Sequence, residues 1–266
     1  MFDKILLPLS FNENIEKVRE LGEYLTNFDT RQIILLHVGT ASKGSEQKLA
    51  PYRDVLQSFD FEVQTLFEKG ETAETIDRVA VAQKVCLICF FWKRSNLLKQ
   101  TILGSTIPDV NRITGKPIFI YRKTFMSQQQ PSTILFATDF NNLGATLVNS
   151  LQRLGQSASQ TLNILHVGLR APDPLAERAR MADIDQKLET LKEIFQSSFS
   201  GVNTLQVTGN SQKEIVKQAS KTGTQIIVMG KFSHSDLRNY IMGSNSEAVS
   251  QKAKCSVFII PHQEEA

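Results

Sequence analysis

The sequence predicts an α/β fold made of two tandem domains, each an open, mainly parallel five-stranded sheet with helices on both faces. Three observations carry this. Short apolar runs alternate along the 266 residues with segments of helical periodicity. Those runs are continuously apolar instead of alternating with polar residues, as in strands buried on both faces of a parallel sheet. The pattern also occurs twice.

The repetition reads directly from the residues. Lys4 to Ser10, KILLPLS, matches Thr133 to Asp139, TILFATD, and Leu36-His37-Val38-Gly39 matches Leu165-His166-Val167-Gly168, both at an offset of 129. Further on, Gly70 matches Gly209, Leu103-Gly104-Ser105 matches Met242-Gly243-Ser244, and Ile118-Phe119-Ile120 matches Val257-Phe258-Ile259, all at 139. The second copy therefore carries ten extra residues between Gly168 and Gly209. Their expected place is Leu169 to Ala182, a stretch containing Pro and Arg, either as a surface elaboration or as a lid over a ligand.

In copy one, Ile5 to Leu9 is the first strand, and Ile15, Val18, Leu21, Leu25 and Phe28 recur at helical spacing. Ile33 to Val38 is the second strand; Tyr52, Val55, Leu56 and Phe59 mark a helix, and Phe61 to Phe67 the third strand. Thr75 to Gln83 reads as a helix before the strand Val85 to Phe91, and Pro117 to Tyr121 closes the copy. The polar, Pro-containing Thr124 to Ser132 reads as a linker, which gives domains over 1–123 and 133–266 joined by 124–132. Copy two repeats the scheme. It has a strand at Thr133 to Ala137, a helix around Leu147, Leu151 and Leu154, and a strand at Leu162 to Val167. A long amphipathic helix follows on Met181, Ile184, Leu188, Leu191 and Phe195. Strands near Thr204 to Val207, Gln225 to Met229 and Val257 to Ile260 complete it. Right-handed crossovers leave such an order little topological freedom.

Composition narrows the function classes. Lys plus Arg total 30 against 27 Asp plus Glu, and a net charge of +3 supplies no electrostatic footprint for nucleic acid. No apolar run approaches the roughly 18 residues of a membrane span. The start MFDKILLPLSFNEN shows no charged leader with a cleavage site, so a cytoplasmic location is expected. Three cysteines are too few for a disulfide framework. Cys86 and Cys89 form C-L-I-C inside an apolar run, where side chains three apart in a strand face opposite ways; buried core thiols are the expectation.

One stretch of copy two carries chemistry. From Ile226 the chain runs through Val228-Met229-Gly230, a polar loop and Gly243-Ser244-Asn245 into a short helix and the last strand. Glycine at a strand end lets a ligand approach the backbone closely. A helix opening at Gly243-Ser244 offers unpaired N–H groups to an anion. The spacing resembles the nucleotide signature of the universal stress protein family, G-x2-G-x9-G-[S/T], with Gly230, Ser233, Gly243 and Ser244 at its four marked positions. Ser233 stands where the second glycine belongs. If that position takes positive φ, serine there costs roughly 1–2 kcal/mol, about tenfold in binding. Asp139 closing the first strand, the Leu165-His166-Val167 strand and Gly209 before a helix extend the resemblance over essentially the whole chain, as two domains of that family in tandem.

The resemblance implies a Rossmann-like fold, similar to the adenine nucleotide alpha hydrolases, with the two domains packed as a pseudo-dimer. It also implies self-association through the closing strands and a site for ATP or AMP, with Mg2+ allowed for. Ligands in open sheets lie at the carboxyl ends of strands, where the strand order reverses. By matching position, Ala137, Thr138 and Asp139 would face the adenine and ribose, and Val167 and Met229 would contact the base. Gly230 and Ser233 would line the phosphate loop; Gly243, Ser244, Asn245 and Ser246 would donate to phosphates. In copy one the corresponding residues are Phe91, Arg94 and Ser10, with only Gly104-Ser105 retained, so no nucleotide is expected there. Trp92, Lys93, Arg94 and Lys99 form a basic, aromatic loop cluster, read as a solvated loop or as a site for an anion or partner.

Catalytic machinery is not evident. A P-loop is absent, and His37, His166, His234 and His262 are scattered in sequence. His37 and His166, at matching positions, read as one core-edge histidine repeated, and His234 as a loop residue. Asp139 is a single carboxylate without an evident partner, so slow ATP hydrolysis is the most the resemblance implies. Three readings of function stay open: a nucleotide-binding stress-response or signalling protein acting through copy two; a ligand-free dimerisation or adaptor protein, with an unidentified protein partner, whose sites have lapsed; and an ATP-hydrolysing or phosphotransfer enzyme.

Overall fold

The computed structural model describes residues 2–92, 106–122, 133–141, 143–156, 160–231 and 245–261. The chain divides into two compact units, Met1–Tyr121 and Arg122–Ala266. The linker expected at 124–132 lies outside the described residues.

The first unit contains β1 (Lys4–Pro8), α1 (Ile15–Leu25), β2 (Gln32–Val38), α2 (Lys43–Gln57), β3 (Glu62–Glu68), α3 (Thr72–Ala82), β4 (Leu87–Phe91), α4 (Thr106–Ile113) and β5 (Ile118–Tyr121). Its strands are all parallel, in the order β3-β2-β1-β4-β5. Ile5, Leu6 and Leu7 of the central strand are each fully buried, so both faces of the sheet are covered, α1 and α2 packing together and α3 with α4. Local chemistry sets the helix starts. Asn14 accepts from the Glu16 and Lys17 N–H groups to open α1, and Ser42 forms a capping box with Ser45 to open α2.

The second unit contains β6 (Thr133–Ala137), α5 (Ala145–Gln156), β7 (Thr161–Gly168), α6 (Pro174–Phe195), β8 (Gly201–Thr208), α7 (Ser211–Lys221), β9 (Ile226–Lys231), α8 (Asn245–Lys252) and β10 (Ser256–Pro261). Its order, β8-β7-β6-β9-β10, again all parallel, is that of the first unit. In each unit the order reverses beside the first strand, between β1 and β4 and between β6 and β9. The turns before α3 and α7 are made alike: Gly70 and Gly209 take φ of +138° and +151°, where a side chain is strained.

Several expectations shift in detail. Cys89 is fully buried, and burial pushes its thiol pKa far up. Cys86 lies one residue before β4, which starts at Leu87 and not at Val85, and it is only half-buried while Val85 beside it is buried. Met181, expected on the apolar face, is 44% exposed, while Ile184, Leu188, Leu191 and Phe195 are buried. The extra residues of the second unit lengthen a helix: α6 has 22 residues against 15 in α2. Asp173 caps it and Pro174 supplies its first residue, a pairing that needs no N–H at that position.

Arg122 anchors α8. Its guanidinium donates to the carbonyls of Ser250 and Ala253 at the end of that helix, and its N–H donates to Ser256 Oγ at 3.0 Å. Burial lowers its pKa to about 10. A cation there satisfies carbonyls that the last turn leaves open and complements the helix dipole.

Candidate functional site

The residues predicted for the base end of a ligand come together at the carboxyl edge of the second unit. Ala137 ends β6 and stands in register with Met229 of β9 on one side and Leu165 of β7 on the other. This is the switch point, where the strand order reverses and an open parallel sheet leaves a crevice at its carboxyl edge. Ala137 and Met229 are buried, 7% and 6% exposed, while Val167 and Gly230 are half-buried at the rim. Thr138 anchors the loop above: its N–H donates to the Leu165 carbonyl at 3.0 Å, and its Oγ1 accepts from the Phe140 N–H at 2.9 Å. Asp139 is exposed, and its Oδ1 accepts from the Asn141 N–H at 3.0 Å, which holds the carboxylate over the strand end.

At the end where phosphates were expected, Asn245 is exposed at the start of α8, whereas Ser246 is buried at 3% exposure and faces inward. Ser233, Gly243 and Ser244 lie outside the described residues, as do His234 and His262.

A group that the spacing arguments did not assemble sits beside this crevice. Phe140 takes φ of +67°, an uncommon conformation for a bulky residue, and its ring stacks on the His166 imidazole at 4.8 Å. His166 Nδ1 lies 3.0 Å from the Thr138 carbonyl. A carbonyl only accepts, so Nδ1 carries the proton and Nε2 is left bare in the neutral ring. Burial lowers the His166 pKa, with Arg180 and Lys187 adding to the effect against Asp139 and the Thr138 hydrogen bond. Lys187 Nζ lies 5.8 Å from the Phe140 ring centroid. The sequence signals were the matched His37 and His166 and the matched Phe11 and Phe140, also 129 apart.

The first unit builds the same stack. Phe11, at φ +66°, lies 3.8 Å from His37, whose Nδ1 is 2.9 Å from the Leu9 carbonyl, and Lys48 Nζ lies 5.5 Å from the Phe11 ring. Around it the edge is filled. Phe67 meets His37 edge-on at 6.2 Å, and Phe91 at the end of β4 is 7% exposed and packs edge-on against Tyr121 at 6.1 Å. Ser10, in the place of Asp139, bonds to Glu13. Trp92 is half-buried; Lys93, Arg94, Lys99, Gly104 and Ser105 lie outside the described residues. Among the described residues no group of three or more His, Cys, Asp or Glu is arranged to hold a metal ion.

Residues 131–261, within the second unit, match the model of the universal stress protein family. The chain belongs to that family. Among curated universal stress proteins, it is similar to YxiE of Bacillus subtilis (strain 168), at 26% identity over 48% of this chain and 97% of that protein. It is also similar to Slr1230 of Synechocystis sp. (strain ATCC 27184 / PCC 6803 / Kazusa), at 24% identity over 82% of this chain and 74% of that one. The crystal structure of a universal stress protein from Archaeoglobus fulgidus DSM 4304 shares the fold with a TM-score of 0.78 and 19% identity, over 99% of this chain and 97% of that one. No helix among the described residues of this universal stress protein is long and apolar enough to cross a membrane.

Proposed function

We propose that this universal stress protein binds an adenine nucleotide, ATP or AMP, at the carboxyl edge of its second unit and acts as a nucleotide-responsive stress or signalling protein. The observation that carries the reading is the contrast at one strand end. Gly230 on β9 stands where β4 has the buried ring of Phe91, and Asp139 stands where the first unit has Ser10. A glycine leaves room for a ligand against the backbone. An exposed carboxylate at the rim and the apolar Val167 and Met229 walls suit a flat polar base with a hydroxylated sugar. The phosphates would then reach the loop and helix start that follow β9, where N–H groups favour an anion. Any hydrolysis would be slow, since Asp139 is a single carboxylate without an evident carboxylate partner.

The test is a calorimetric titration with ATP and Mg2+, on the native protein and on Gly230→Phe, which installs the first unit's own residue. One site per chain, lost in the variant, supports the reading. Absence of heat at millimolar ATP in the native protein overturns it. The closed aromatic edge of the first unit favours a second reading, a ligand-free adaptor role for that unit, which the same titration addresses through its stoichiometry.

A further inference from the structure

The corner between β7, β8 and the start of α6 carries more hydrogen-bonding capacity than the chain itself satisfies. Arg180 spends Nε and Nη2 on Glu177, at 2.8 and 2.7 Å, and Glu177 is fixed in turn by the Ala171 N–H at 2.7 Å. Arg180 Nη1 is left without a partner among the described residues. It lies over Gly168, where an added Cβ would come within 2.7 Å of it and within 3.2 Å of His166 Nε2. The two nitrogens therefore come together beside the Gly168 backbone at the end of β7, one a donor and the other an acceptor. Gln206 stands in register with His166 on the neighbouring strand, and its amide is buried with neither atom bonded. Leaving such groups unpaired is unfavourable unless something else pairs with them.

Of this corner the first unit keeps only the histidine, with His37 Nε2 beside Gly39 as His166 Nε2 is beside Gly168. The position matching Gln206 is Phe67, and α2 begins at the residue matching Ala182, so Arg180 has no counterpart there. The first two turns of α6 thus bring a guanidinium, held by Glu177, to the rim of the nucleotide crevice proposed above. In that reading the phosphates lie toward β9 and α8, which places the base at the β7 end.

We infer that His166 and Arg180 are specificity-determining residues that read the edge of an adenine base. His166 Nε2 accepts from the exocyclic amine, and Arg180 Nη1 donates to the neighbouring ring nitrogen. Adenine presents this donor and acceptor side by side at N6 and N7, whereas guanine presents two acceptors, O6 and N7. A guanine would set O6 against the bare imidazole nitrogen. A site built to pair with a polar group rejects an analogue that cannot complete the pairing.

The inference rests on the proposed nucleotide site, and its test separates the two. ATP and GTP are titrated into the native protein, His166→Asn, Arg180→Met and Arg180→Lys, with thermal melting as a control on folding. Asn keeps an amide donor for the Thr138 carbonyl but offers no acceptor in place of Nε2. The expected result is an ATP preference of at least about tenfold in the native protein. It should shrink toward unity in His166→Asn and Arg180→Met and return in part in Arg180→Lys. Equal affinity for the two nucleotides in the native protein, or an unchanged preference in both variants, would overturn this inference alone. Binding of neither nucleotide would overturn it together with the reading beneath it.

Discussion

The two units place the same strand order and the same Phe-His-Lys stack at their carboxyl edges and then treat those edges in opposite ways. In the first, Phe67 packs on the stack, Phe91 buries its ring against Tyr121 at the end of β4, and a serine holds the position of the rim carboxylate. In the second, those positions are Gln206, Gly230 and Asp139, and a helix two turns longer supplies Arg180 and Glu177. The difference teaches that the stack belongs to the loop and the proposed ligand chemistry to its surroundings. A stack kept where the edge is closed cannot be there only for a nucleotide.

The largest expected effect breaks the comparison from the closed side. Phe91→Ala should destabilise the first unit by roughly 3–5 kcal/mol through the cavity it leaves, read from denaturant unfolding. No ATP site should appear there, since Ser10 supplies no carboxylate. From the open side, Gly230→Phe should weaken ATP binding by about 100-fold or more, a loss of roughly 3 kcal/mol, read by calorimetry. Arg122→Met, which strips the end of α8 of its donor, should cost about 1.5–3 kcal/mol of second-unit stability. An unchanged unfolding midpoint would show that the carbonyls find water instead.

Acid provides a finer probe. Burial lowers the His166 pKa below its value in the unfolded chain, so the unfolded state binds the proton first. The stability tied to the neutral ring is complete above the ordinary histidine range. It is lost as pH falls through the lowered folded value, with Arg180, Lys187 and Asp139 as the charged neighbours. His166→Asn should remove that portion of the slope in pH-dependent melting. Glu177, held at about 2 by Arg180, behaves in the same sense at lower pH. What it contributes is present above the ordinary carboxylate range and fades as pH falls toward 2. The smallest effect is expected for Phe11→Gly and Phe140→Gly. Relief of the positive φ, about 1–2 kcal/mol, nearly offsets the lost stack of about 0.5–1.5 kcal/mol. Equal outcomes in the two units would confirm the stack as a shared loop device.

Much of the fold was legible in the residues because strands buried on both faces read as unbroken apolar runs, such as Ile33 to Leu36 and Ile226 to Met229. Boundaries were less so. Cys86 looked like part of the strand because it is apolar, although pairing starts one residue later. Within the candidate site, Asp139, Val167 and Gly230 could be named by matching position, since each lies within two residues of a strand's carboxyl end. Arg180 could not: it lies 12 residues beyond Gly168, in a stretch whose length alone marked it as different.

The sequence by itself determined two copies of one α/β pattern, the order of their elements, and which copy keeps a glycine and a carboxylate at its strand ends. Those properties are local, written in apolar runs and in residue types at fixed positions. Only the tertiary structure decided that Phe140 stacks on His166, that Ser246 faces inward, and that Arg180 and Gln206 converge on one corner of the second unit. Such contacts join residues on different elements, and they form only when parallel register and helix packing bring those elements together.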